Sequence, residues 1–111
     1  MWQRNALAAK LREGRATSKL SRAQLADLSC VSERTIRAIE EERYIRPPCT
    51  RTIIRLVSVL LGDIEDVREW LNLAGRAVAD DELLRNEFLR QVTVQFNNLS
   101  RKLHPSLYRT A

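Results

Sequence analysis

The stretch Ser21–Glu40, SRAQLADLSCVSERTIRAIE, constrains this chain most, because it holds two helix starts and leaves room only for a sharp corner between them. Ser21 and Ser32 each precede a helix-forming run, and a serine hydroxyl caps the free N–H groups of a helix start. The pattern predicts one short helix over about 21–29 and a second over about 32–42. Leu25, Ala26 and Leu28 form the apolar side of the first, Ile36 and Ile39 that of the second, and Val31 plugs the corner. The outer side of the second helix carries Ser32, Glu33, Arg34 and Arg37, all hydrogen-bonding groups. A short helix with an apolar back and a polar front suits insertion into a DNA major groove.

The rest of the chain also reads as helix. Gly and Pro number only 3 each in 111 residues, and Ala, Leu, Arg and Glu abound, which favours an all-α fold. A first helix over 3–18 has Leu7 and Leu11 at i, i+4, with Gly14 as a weak point open to close approach. Pro47 and Pro48 end any helix before them. A fourth helix over 50–61 carries Ile53, Ile54, Leu56, Val57, Leu60 and Leu61, with Gly62 as its C-terminal cap. Asp63 caps a fifth over 64–74, with Ile64, Val67, Trp70, Leu71 and Leu73 inward and Gly75 at its end. These five helices make one compact domain, residues 1–75. Residues 76–111 are a linker, a long sixth helix over 81–103 and a loose tail. The sixth helix begins with Asp80, Asp81 and Glu82, which suits the helix dipole. Its apolar stripe is Leu84, Phe88, Val92, Phe96, Leu99 and Leu103. Such a stripe must be covered, either by a second copy of the chain or by folding back on its own domain, onto Trp70 or Trp2.

Charge divides the chain in the same place. Residues 1–60 hold 12 Lys+Arg and 6 Asp+Glu, a net +6, whereas 61–111 hold 7 and 8, a net −1. A basic half around the two-helix corner is what a polyanion-binding half requires. Cys30 and Cys49 form no CxxC pair and His104 is the only histidine, so no metal-ligand spacing and no nucleophile–base pair emerges. The expectation is a non-enzyme without metal or cofactor. No apolar run approaches the ~20 residues of a membrane span and no signal peptide is visible, so a cytoplasmic, nucleoid-associated protein is expected.

In one register, Leu11-Arg12, Arg15, Leu20-Ser21, Leu25-Ala26, Val31-Ser32, Ile36 and Ile39-Glu40 resemble the helix-turn-helix core of the XRE family, the lambda-repressor-like or Cro-like DNA-binding domains. The resemblance covers about residues 3–75 and implies a five-helix lambda-repressor-like domain, here followed by a long amphipathic helix. It also implies a buried Arg15–Glu40 pair joining the first helix to the end of the recognition helix. Three positions depart from the family pattern. Cys30 and Lys19 stand where glycine is usual, and a left-handed conformation there would cost about 1–2 kcal/mol each. Arg22 replaces a glutamine that typically contacts phosphate, a role arginine can keep.

Glu33 and Arg34 then fall at the groove-entering end. Arg34 is suited to guanine O6 and N7, Glu33 to cytosine N4, Ala38 to a thymine methyl, and Arg37 to a base or the flanking backbone. Expected phosphate contacts are Arg22, Ser32, Arg43, Tyr44 and Arg46, with Thr50, Arg51 and Thr52 at the start of the fourth helix. Operators of the family are usually inverted repeats bound by dimers, and the Leu84–Leu103 stripe offers the pairing surface. The expected function is a sequence-specific transcriptional regulator, a dimeric repressor on double-stranded DNA. The alternative is an antitoxin-type protein whose 76–111 segment binds a partner toxin while the N-terminal domain represses its own operon. A small adaptor that uses the fold for protein contact alone fits the +6 half poorly.

Overall fold

A computed structural model describes residues 2–60, 62–76 and 81–103, with side chains described as far as Asn97. Six helices follow in order: α1 (Arg4–Ser18), α2 (Arg22–Ser29), α3 (Glu33–Glu40), α4 (Thr50–Val59), α5 (Ile64–Leu73) and α6 (Asp81–Leu103). There is no strand among the described residues, so the chain is all-α. No described helix is long and apolar enough to cross a membrane.

The helix starts follow local chemistry. Ser21 accepts from the Gln24 N–H while Gln24 reaches back to the Ser21 N–H, a reciprocal capping box. Asp63 and Asp66 do the same for α5. The ends of α1, α2, α3 and α5 turn through left-handed residues, Lys19 at φ 56°, Cys30 at φ 60°, Glu42 at φ 59° and Gly75 at φ 71°, whereas α4 closes on Leu60 at φ −79° and not on the expected Gly62. α3 therefore ends at Glu40, two residues short of the predicted boundary. The Glu42 N–H bonds to Ile39 O and the Arg43 N–H to Ala38 O, a Schellman closure that consumes the last carbonyls and turns the chain away.

α4 lies at the centre, against α2, α5 and α6, while α1 packs on α3 and α5. One core unites Leu7, Leu11, Leu25, Val31, Ile36, Ile39, Ile53, Ile54, Leu56, Val57, Val67, Trp70 and Leu71. Gly14 meets the end of α4, where an added Cβ would stand 3.0 Å from Leu60 Cδ1. Leu61 lies outside the described residues.

The covering of α6 corrects the expected interface. Leu84 and Phe88 are buried in the chain's own core, on the face α6 turns to α4, so they are not available to a second copy. The inner face continues through Gln95, which is also buried, whereas Val92 is 37% and Phe96 69% exposed. The reason is geometric. A step of four residues advances about 400° at 3.6 residues per turn, so three such steps carry the stripe about 120° around the helix. The stripe begins on the packing face and leaves it. The side chains of Leu99 and Leu103 lie outside the described residues.

Candidate nucleic-acid interface

The outward face of α3 starts from its cap. Ser32 Oγ accepts from the Thr35 N–H at 3.1 Å and lies 2.8 Å from Thr35 Oγ1, so this hydroxyl holds the helix start. Ile36, Ile39 and Glu40 are buried, which turns Glu33, Arg34 and Arg37 to solvent and leaves Ala38 half-buried. Glu33 and Arg37 face each other at 3.4 Å, both about half exposed. Such a surface pair is worth little, so either partner can be given up to a ligand.

The Schellman closure swings Arg43–Arg46 back beside α3. A concave surface of about 520 Å³ is lined by Glu33, Arg34, Arg37, Ala38 and Arg43. A second, of about 460 Å³, is lined by Arg34, Thr35, Ala38, Arg43, Tyr44, Ile45 and Arg46. They share Arg34, Ala38 and Arg43. All four residues expected at bases thus join three expected at phosphates, with four arginines against one glutamate. Arg43 is held by Glu41 at 2.6 Å. Tyr44 packs its ring partly against the core, and Ile45 is 86% exposed at the loop's outer edge.

Arg22 sits elsewhere and does something else. Its Nε donates to Glu40 Oε1 at 3.1 Å. Glu40 Oε2 and Oε1 also accept from Arg15 Nε at 2.8 Å and Nη2 at 3.0 Å. Arg12 Nη1 meets the Glu40 carbonyl at 2.6 Å. The Glu40 side chain has no solvent exposure, and a carboxylate taken out of water must be compensated by charge and hydrogen bonds. Arg22 lends a donor to that compensation and stands outside the concave surface. Burial alone pushes the Glu40 carboxyl up, but the bonds from Arg15 and then Arg22 outweigh it and hold it below its ordinary value. The bidentate Arg15 fork fixes α3 against α1.

Thr50, Arg51 and Thr52 at the start of α4 do not line the concave surface. Cys49 precedes them as the cap residue, its Sγ 3.2 Å from Thr52 Oγ1. Burial pushes this thiol up. Hydrogen bonds from the Thr52 hydroxyl and the Thr52 and Arg51 backbone, with the Arg76 charge, bring it below the ordinary thiol value.

Sequence reasoning missed three arginines. Arg12 belongs to the Glu40 brace. Arg4 stacks 4.5 Å from the Trp2 ring centroid and points Nη2 at the Ile45 carbonyl at 3.5 Å. Arg76 bonds the carbonyls of Pro47 and Pro48. Only Arg12 carried a signal, its place one turn before Arg15. Among the described residues no group of three or more His, Cys, Asp or Glu could hold a metal ion. No family model, no curated protein and no solved structure matches this chain.

Proposed function

We propose that this chain is a sequence-specific DNA-binding transcriptional regulator of the lambda-repressor-like type, with α1–α5 as its DNA-binding domain and α6 as its association helix. The observation that carries this reading is the continuous concave surface between α3 and the 43–46 loop, where Arg34, Arg37, Arg43 and Arg46 converge. α3 enters the major groove, Arg34 reads guanine, Glu33 and Ala38 read neighbouring bases, and Arg43 and Arg46 grip the flanking phosphates. The buried Glu40 brace supports the reading because it fixes the angle at which α3 stands out from the domain.

A single α3 reads few base pairs, so two copies act together on an inverted repeat. The exposed positions Leu89, Val92 and Phe96 recur at steps of three and four, the spacing of a helix-pairing seam. The alternative occupant of that seam is a partner protein, as in an antitoxin. Selecting bound duplexes from a random pool tests the main reading. Recovery of a symmetric motif supports it, and recovery of none sinks it.

A further inference from the structure

Arg76 is exposed and lies outside the concave surface, yet it donates to two consecutive backbone carbonyls of the loop that forms one wall of it. Its Nη2 is 2.8 Å from Pro47 O and its Nε 3.2 Å from Pro48 O. Neither proline has an N–H, so this segment offers acceptors and few donors. Arg76 itself is aimed by its backbone. Gly75 turns left-handed at φ 71°, and the Arg76 N–H closes the end of α5 on Leu71 O at 2.8 Å. Pro48 is fully buried while the tip, Ile45, stands in solvent. The loop is therefore tied at its base by Arg76, while its tip keeps only the long Arg4 contact to the Ile45 carbonyl.

We propose that Arg76 is a positioning residue that latches the 43–48 loop beside α3, so that the loop meets DNA already ordered. The geometry stands by itself; the consequence for DNA rests on the reading above. Ordering a loop residue only at binding costs backbone entropy, and a preformed grip avoids this.

The test uses the full chain, with Arg76→Gln and Arg76→Lys. Trypsin cleavage at Arg43–Tyr44, followed by peptide mass, reads the latch without DNA. Affinities for a selected duplex and a random duplex across a salt series read its consequence. Arg76→Gln is expected to speed cleavage and to weaken both affinities about threefold to tenfold, with their ratio and the salt slope unchanged. Arg76→Lys, which keeps the charge but not the fork, recovers part of both. Unchanged cleavage in folded Arg76→Gln overturns the latch. A salt slope reduced by about 0.9, the share of one phosphate, also overturns it, because Arg76 then contacts DNA itself. Faster cleavage with unchanged affinity overturns the positioning role. If the wild-type chain binds neither duplex, the DNA reading fails while the cleavage result still decides the latch.

Discussion

Cys30 stands at φ 60° and ψ 25°, a conformation that costs a residue with a Cβ about 1–2 kcal/mol. Glycine removes this strain but adds unfolded-chain entropy of roughly 0.5–1 kcal/mol. Cys30→Gly is therefore expected to stabilise the chain by about 0.5–1 kcal/mol in urea unfolding, while Cys30→Ala leaves it unchanged; a loss of stability in the glycine variant contradicts this. The resemblance marked Lys19 and Cys30 as glycine positions, so their strain was legible. Glu42 was not, because the run Glu40-Glu41-Glu42 has good helix propensity and only the Schellman bonds from Glu42 and Arg43 show where α3 stops. Glu40 gives a pH prediction. Its folded carboxyl is held below the ordinary value, so its stabilisation is complete above the unfolded carboxylate pKa of about 4.3 and is lost as pH falls through the folded value. Glu40→Gln should destabilise by about 3 kcal/mol at neutral pH and flatten the acid limb of the melting temperature. A variant whose acid limb matches the wild type would show that Glu40 is not the group being titrated. At Arg34, alanine should cost about 1–3 kcal/mol at one base pair of a selected site, read as the specific-to-random affinity ratio.

α6 separates core positions from exposed apolar positions that its sequence places on one stripe. Phe88 is buried and Phe96 is not, although both lie on one apolar stripe in the chain. Phe88→Ala should destabilise the fold by about 3–5 kcal/mol. Phe96→Glu should leave the melting temperature within a few degrees and abolish self-association in sedimentation. A dimer that survives both Phe96→Glu and Leu89→Glu contradicts the seam. The start of α6 is tied to α5 by the Arg68 guanidinium, which bonds Asp81 and Glu65; this cross-helix link lies outside any periodicity. The helices themselves were legible to within two residues for the described boundaries, because caps and Pro47-Pro48 are local signals. The covering of α6 was legible only as one of two options, since the choice depends on the slow rotation of the stripe and on Gln95, a polar residue, taking the inner position.

In the whole molecule, several of the 12 Lys+Arg of residues 1–60 are paired with carboxylates that the net +6 already counts. Arg15 and Arg22 are bound to Glu40, and Arg43 faces Glu41. Arg34 and Arg46 carry no ion pair among the described residues, and both line the concave surface. Composition therefore indicated the basic half but not which cations were paired, a distinction made by where Glu33, Glu40 and Glu41 fold beside them. The single measurement closest to the central claim is the affinity for a selected duplex against salt, in the wild type and in Arg34→Ala. Readout through α3 predicts a linear fall of log K with log salt, with a slope of about −0.9 for each phosphate contacted, and a specific-to-random ratio that collapses in Arg34→Ala. Salt-independent binding, or an unaltered ratio in that variant, would contradict it.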